Sequence, residues 1–133
     1  MAILIDADVI IEAERGSFDL FRWLESHSEE EFFLAAITVA ELQHGVERAT
    51  AVHRPRRERF LERVFEALEI VPYTERTAFE HARLWAELET KGAMIGAHDM
   101  ILAATATERG DAVATFNTRH FTAVENLRLI APA

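Results

Sequence analysis

The sequence contains no cysteine. A disulfide framework and a thiolate-ligated metal site are therefore both excluded. No apolar segment approaches the roughly 20 residues that are needed to span a bilayer. The apolar N-terminus is interrupted by Asp6 and Asp8 and lacks the basic segment of a signal peptide. We therefore expect a soluble, cytoplasmic protein that does not associate with a membrane.

Basic residues are also scarce. The chain of 133 residues carries 14 basic and 23 acidic side chains, which give a net charge of −9, and Lys91 is its only lysine. A protein that coats nucleic acid nonspecifically needs more cations, because its phosphate contacts depend on them. Arginines are nevertheless concentrated within residues 48–63. They are Arg48, Arg54, Arg56, Arg57, Arg59 and Arg63.

The hydrophobic pattern alternates between short continuous runs and longer segments with helical spacing. The runs predict strands at 2–6, 32–37, 69–72, 112–116 and 127–130. The longer segments predict helices from the first strand to about residue 15 and at 18–26, 39–50, 55–68, 75–90 and 97–109. In the 75–90 helix we expect one buried face, formed by Ala78, Ala82, Trp85 and Leu88. Because strands alternate with helices, we expect an α/β protein with one domain, residues 1–133, in which helices cover both faces of a parallel sheet of four to five short strands.

Three acidic residues lie where an apolar strand gives way to a helix, or in the first turn of a helix. Asp6 follows a strand-like run, Glu41 lies in ITVAEL, and Asp99 lies in GAHDMILAATA. Carboxylates avoid the interior unless something positive holds them there. The carboxyl ends of parallel strands share one crevice, so the three side chains can converge. Clustered oxygen ligands suit Mg²⁺ or Mn²⁺, which suggests phosphoryl chemistry.

Each polar residue near these strand ends also has a purely structural explanation. Asp6 and Asp8 are suited to cap a helix, and Asp99 to interact with the helix macrodipole. Thr38 and Glu41 have the spacing of a capping box. Thr115 and Asn117 follow the fourth predicted strand, where they either bind a phosphate or a metal-bound water or form a turn.

Taken together, four segments resemble the PIN domain, and most closely the VapC-type toxins of bacterial and archaeal toxin–antitoxin modules. They are ILIDADVII near the N-terminus, the segment from Thr38 to Leu42, the segment from Gly92 to Ala106, and a closing motif with Thr115, Asn117 and Phe121. These segments cover nearly the whole chain in the order and spacing of the family. The resemblance implies a three-layer α/β/α fold.

By that resemblance, Asp6, Glu41 and Asp99 match the carboxylates that coordinate Mg²⁺ or Mn²⁺ in a metal-dependent endoribonuclease. Asn117 falls where many relatives carry a fourth carboxylate, and Asp8 falls where Asn or Ser is frequent. The ion would lower the pKa of a bound water and neutralise charge on the scissile phosphate. In-line attack by hydroxide would then leave a 5′-phosphate and a 3′-hydroxyl. We expect Asp8, Thr38, Thr115 and Asn117 to support this site.

The resemblance also implies partners, namely an RNA substrate, a second copy of the chain in a homodimer, and a cognate antitoxin. An acidic pocket suits an inserted arginine, whose planar fork binds two carboxylate oxygens. The apolar part of the antitoxin would lie on the first helices, where Phe18, Phe21 and Trp23 are either anchors or plain core. Part of the arginine segment either guides RNA or forms a solvated face of Arg/Glu pairs. The arginines concerned are Arg54, Arg56, Arg57 and Arg59.

Two other functions are compatible with the sequence. ILIDADVI also fits the nucleophile loop of a haloacid-dehalogenase-like phosphatase, with Asp6 attacking phosphorus and Asp8 as the acid/base. That chemistry usually needs a lysine and a further pair of aspartates, whereas the chain offers only Lys91 and, after Asp99, only Asp111. The second alternative is a non-catalytic module that binds a partner through its arginines. Metal-dependent cleavage of RNA distinguishes the enzyme from this non-catalytic module.

Overall fold

Strands and helices alternate along the chain, as the hydrophobic pattern predicts. The computed structural model describes residues 1–133. The strands are β1 (Ala2–Ile5), β2 (Glu31–Ala35), β3 (Glu69–Val71), β4 (Ala112–Ala114) and β5 (Leu129–Ile130). The helices are α1 (Ala7–Glu14), α2 (Leu20–Ser26), α3 (Ala36–Glu47), α4 (Arg54–Ala67), α5 (Glu75–Lys91) and α6 (Ala97–Arg109), and a 3₁₀-helix spans Thr118–Phe121. None of the helices combines the length and the apolar character needed to cross a membrane.

The five strands form one parallel sheet in the order β3-β2-β1-β4-β5. The chain first builds outwards from β1 to β3, and then returns to place β4 on the other side of β1. The strand order therefore reverses between β1 and β4. In open α/β sheets, the crevice outside the carboxyl ends of the strands at this point is the usual ligand site.

Two hydrophobic layers cover the sheet, as the alternation of side chains in each strand requires. Ile3 and Ile5 of β1 pack with the buried faces of α1, α2, α3 and α4. Leu4 lies between them in sequence and packs on the other face, with α5, α6 and the 3₁₀-helix. The predicted three-layer α/β/α fold with a parallel sheet is confirmed.

The helix α3 begins at Ala36, earlier than the sequence pattern predicts, because β2 ends at Ala35 and the chain turns directly from strand to helix. Ala35 is the N-cap, and no side chain caps the helix. The predicted capping box is therefore wrong. Thr38 is instead fully buried in the first turn, on the inward side of α3, and its hydroxyl has no hydrogen-bond partner.

The buried face of α5 also differs from the prediction. Leu88 is buried as expected, but its companions are Thr77 and Leu84, whereas the side chain of Trp85 is exposed. Both sets of residues have helical spacing, so the apolar pattern could not decide between the face with Leu84 and the face with Trp85. The predicted end of the helix is confirmed, since Gly92 has a φ of +66° and closes α5 in the left-handed conformation that favours glycine.

Candidate active site

Asp6 lies at the switch point of the sheet, immediately after β1, and is the N-cap of α1. One carboxylate oxygen accepts a hydrogen bond from the Ala7 N–H at 2.8 Å, and the other accepts one from the Thr115 hydroxyl at 2.9 Å. Thr115 follows β4, so the bond joins the ends of the two strands between which the order reverses. Asp6 is 7% exposed. Its two hydrogen-bond partners are neutral, so a buried negative charge has no cation against it.

This environment disfavours the charged form of Asp6. Burial raises the pKa of the Asp6 carboxyl to about 6, and the negative charges of Asp8 and Asp99 act in the same direction. The hydrogen bonds from Thr115 and Ala7 oppose the shift without cancelling it. A perturbed acid at a sheet's ligand crevice is typical of a functional site.

Asp8 organises the segment that follows β4. Its carboxylate accepts hydrogen bonds from the Phe116 N–H at 3.0 Å and from Nδ2 of Asn117 at 3.1 Å. The Thr115 hydroxyl lies 3.3 Å from the same carboxylate and accepts a hydrogen bond from the Asn117 N–H at 3.0 Å. Burial raises the pKa of Asp8, and the hydrogen bonds partly offset that effect. The predicted turn at Thr115 and Asn117 therefore exists, and Asp8 holds it together.

Glu41 and Asp99 join this environment from two further helices. Glu41 lies in the second turn of α3, and Asp99 lies in the first turn of α6, which contacts α3. Burial raises the pKa of Glu41; His98 lowers it, whereas the charges of Asp99 and Asp8 raise it. The charge of Asp99 also acts on Asp6. Four carboxylates from distant parts of the sequence therefore share one electrostatic environment.

Two histidines accompany the outer carboxylates. Nδ1 of His98 lies 3.6 Å from Oε2 of Glu41, and Nδ1 of His120 lies 3.1 Å from Oδ2 of Asp99. The imidazoles are 60% and 56% exposed, whereas the two carboxylates are 28% and 24% exposed. Neither histidine was among the site residues predicted from the sequence. For His120 no local signal exists, because its contact spans two separate elements.

The four carboxylates fit a hard divalent cation in their chemistry. All their donors are oxygens, and a cation would relieve both the burial of charge and the mutual repulsion. As the side chains stand, no three Asp, Glu or His residues come close enough together to hold one ion. An ion would therefore bind only with movement of these side chains towards one another.

The arginines of α4 divide into two groups. Arg54 pairs with Glu47 and Glu58, and Arg57 pairs with Glu14 and donates to the Gly45 carbonyl. Arg57 also lines a small cavity beside Glu41, whereas Arg56 and Arg59 line a separate cavity of about 500 Å³. The other side chains of that cavity are Glu14, Arg15, Phe60 and Arg63, with Gly16. Of the four arginines that the sequence suggested for RNA, two are thus engaged within the protein.

Comparison with known proteins agrees with this architecture. A family model of the PIN domain matches residues 3–127. The chain belongs to the PIN domain family. It is 30% identical to ribonuclease VapC1 of Rickettsia felis over 131 residues, which are 98% of this chain and 96% of the relative. The resemblance that the sequence motifs suggested is therefore confirmed.

Solved structures of VapBC proteins show the same fold. The crystal structure of VapBC2 from Rickettsia felis, bound to a DNA fragment from its promoter, matches with a TM-score of 0.89 at 26% identity over 97% of both chains. VapBC-5 from Mycobacterium tuberculosis, a member of the VapBC family of toxin–antitoxin systems, matches with a TM-score of 0.77 at 28% identity, again over 97% of both chains. The likeness extends over nearly the whole domain.

Proposed function

We propose that this PIN domain is a VapC-type endoribonuclease that acts as the toxin of a toxin–antitoxin module. The observation that carries the proposal is the group of acidic side chains at the switch point of the sheet, in a chain that matches a VapC ribonuclease along its length. The direct test is incubation of purified protein with single-stranded RNA and Mn²⁺. We expect cleavage that EDTA abolishes and that leaves a 5′-phosphate and a 3′-hydroxyl.

In this proposal, Asp6, Glu41 and Asp99 hold Mg²⁺ or Mn²⁺. When bound, the ion would neutralise the carboxylates and the charge that develops on the scissile phosphate. Asp6 is oriented for this role by the Ala7 N–H and the Thr115 hydroxyl. His120 donates a hydrogen bond to the Asp99 carboxylate when its Nδ1 carries the proton, and so restrains that carboxylate as well.

The contacts of Asp8 favour the nuclease over the phosphatase. A phosphatase of the haloacid-dehalogenase type needs Asp8 as a mobile acid/base beside a nucleophilic Asp6. Here the Asp8 carboxylate is engaged by the Phe116 N–H and the Asn117 side chain. Asp8 therefore fixes the segment after β4 through hydrogen bonds and takes no direct part in the proposed reaction.

Divalent ions should stabilise the purified protein. We expect the melting temperature to rise with millimolar Mg²⁺ or Mn²⁺, because an ion that binds only the folded state stabilises it by mass action. A thermal melt in EDTA, compared with melts at increasing metal concentration, measures the shift. The Asp6→Asn variant is the matched control and should show a much smaller shift. An equal shift in both proteins would place the metal elsewhere.

The cavity lined by Arg56 and Arg59 gives RNA a route towards the carboxylates. The cavity with Arg56 and Arg59 shares Glu14 and Arg15 with a second, smaller cavity that reaches Glu41. A phosphate backbone held by these cations would therefore run into the acidic site. We propose that Arg56 and Arg59, rather than the ion-paired Arg54 and Arg57, guide the substrate.

The smaller cavity also suits an antitoxin. Its apolar side chains lie beside Glu41, so an apolar segment bound there could place an arginine among the carboxylates. The apolar side chains that line this cavity are Ile10, Ile11, Leu42, Val46 and Leu61. Trp23, suggested from the sequence as an anchor, is 5% exposed and belongs to the core, against which Phe18 and Phe21 pack.

This assignment predicts a specific disruption of the complex. Co-expression with the small protein encoded beside this chain should give a co-purifying complex without nuclease activity. Ile11→Lys should weaken that complex at least about tenfold, because it places a charge in the apolar cavity. Val52→Lys is the control, since Val52 is 83% exposed and lies outside the cavity. Binding affinities from calorimetry decide the point, and equal affinities for both variants would exclude this docking site.

A further inference from the structure

A third cavity lies beside the acidic site. Asp8 and Asn117, which are hydrogen-bonded to each other at the border of that site, also line the cavity. Its volume is about 370 Å³, which falls within the roughly 300–1,000 Å³ of small-molecule sites. Its wall is formed by Asp8, Glu12, Ser17, Phe18, Phe116 and Asn117. A group bound here would therefore lie next to whatever the carboxylates hold.

One wall of this cavity is aromatic. The rings of Phe18 and Phe116 meet edge to face, with centroids 5.4 Å apart and an interplanar angle of 83°. Phe116 is 38% exposed, although its backbone is fixed by the hydrogen bond from its N–H to Asp8. An aromatic ring held partly open to solvent on an ordered segment is a stacking surface for a planar ligand.

The polar wall consists mainly of hydrogen-bond acceptors. The Glu12 carboxylate accepts hydrogen bonds from the Ser17 hydroxyl and from the Arg15 guanidinium, whose nitrogen lies 3.3 Å from Oε1. Each carboxylate oxygen can accept one further hydrogen bond. The Asn117 side chain uses its Nδ2 to bind Asp8, which leaves its oxygen as an acceptor. The carboxylates of Asp8 and Glu12 repel a phosphate, whereas they attract a neutral ring that presents N–H donors.

We propose that this cavity binds one unpaired guanine of the RNA, stacked on Phe116, with its N–H edge towards Glu12. Guanine is favoured because its adjacent N1–H and N2–H donors can both bind one carboxylate. The base would belong to a nucleotide beside the scissile phosphate, since Asp8 and Asn117 join the cavity to the acidic site. The proposal rests on the proposed ribonuclease function and adds the basis of its sequence preference.

The test uses the purified full chain, Mn²⁺ and a pool of single-stranded RNA with a randomised segment, followed by sequencing of the cleaved ends. The wild-type protein should enrich guanine at one position beside the cleavage site. Phe116→Leu keeps the backbone N–H but removes the aromatic face. It should lose the enrichment and lower kcat/KM on a guanine-containing oligonucleotide about tenfold, as expected for the loss of one stacked base. Phe116→Tyr keeps an aromatic face and should therefore keep the guanine preference of the wild-type protein.

Two further variants sharpen the test. Phe79→Leu removes a 72% exposed phenylalanine on α5, outside the cavity, and should keep the guanine preference. Glu12→Gln should reduce the preference even if Phe116→Leu proves unstable in a thermal melt. If Phe116→Leu or Glu12→Gln folds and retains the full preference, the guanine site is wrong and the nuclease stands. If the wild-type protein cleaves no RNA with any divalent metal, both proposals fall.

Discussion

Asp99→Asn should abolish RNA cleavage while leaving the fold intact. We expect metal-dependent activity to fall by about 10²–10³-fold or more, because the variant removes a negative charge from the group that would hold the cation. Asn keeps an oxygen that can face His120, 3.1 Å away in the wild-type protein. Asp99 does not cap α6 with its side chain, so stability loses only a helix-dipole interaction of less than ~1 kcal/mol. Initial rates of cleavage and denaturant unfolding measure the two quantities.

Glu75→Gln is the matched control for Asp99→Asn. Glu75 lies in the first turn of α5 and therefore has the same favourable interaction with a helix dipole. Its neighbour Arg76 pairs with Glu108 near the end of α6, so Glu75 lies at the opposite end of α6 from Asp99. Glu75→Gln should cleave RNA like the wild-type protein. Wild-type activity in purified Asp99→Asn would refute the proposed site.

Much of this site could be predicted from the sequence, because local pattern and topology both constrain it. The run before Asp6 identifies a buried strand, and alternation with helices makes the sheet parallel, which gathers the residues after β1 and β4 at one edge. Glu41 remains near that edge although α3 begins earlier than predicted. A small error in a helix boundary does not move a residue away from the end of the strand before it.

The remaining features depend on contacts between separate elements, which spacing does not reveal. His120 meets Asp99 only because the 3₁₀-helix packs on α6. Arg54 and Arg56 look alike in the sequence, but the helical phase of α4 turns Arg54 towards Glu47 and Glu58 and Arg56 towards the cavity. The exposed ring of Phe116 likewise follows from the way in which Asp8 holds its backbone.

Asp6→Asn should also abolish cleavage, whereas Asp8→Asn should be far milder. Asp6 is a buried acid whose two hydrogen-bond partners are neutral, and the proposed cation would compensate its charge. Asp8 mainly accepts hydrogen bonds from the Phe116 N–H and the Asn117 side chain, and an amide oxygen can take over part of that role. The phosphatase mechanism predicts a severe loss for Asp8→Asn as well, since Asp8 would be its acid/base. Cleavage rates of the two variants on one RNA distinguish the mechanisms.

The same Asp6→Asn change should stabilise the metal-free protein at neutral pH. Folding raises the pKa of Asp6 from 3.8 to about 6, which costs the folded state about 3 kcal/mol once the carboxyl is ionised. Asn removes that charge but has one oxygen for the two donors, Ala7 N–H and the Thr115 hydroxyl, and the lost hydrogen bond costs about 1 kcal/mol. We therefore expect a net gain of roughly 2 kcal/mol in the free energy of unfolding in EDTA.

The pH dependence of this gain is its most specific signature. Well below the unfolded-state pKa of 3.8 the carboxyl is protonated in both states, so the wild-type protein carries no charge penalty. The penalty grows as pH rises from about 4 to about 6 and is complete above that range, since the folded-state pKa lies above the unfolded value. Unfolding at pH 4.5 and pH 7.5 should show the advantage of Asp6→Asn only at the higher pH.

Asp111→Asn is the control for this prediction. The buried Asp111 carboxylate pairs with Arg109 at 2.6 Å, so its loss should destabilise the protein at pH 7.5. If Asp6→Asn behaved like Asp111→Asn, Asp6 would be a structural charge that the protein itself compensates, and the proposed role as a cation ligand would be wrong.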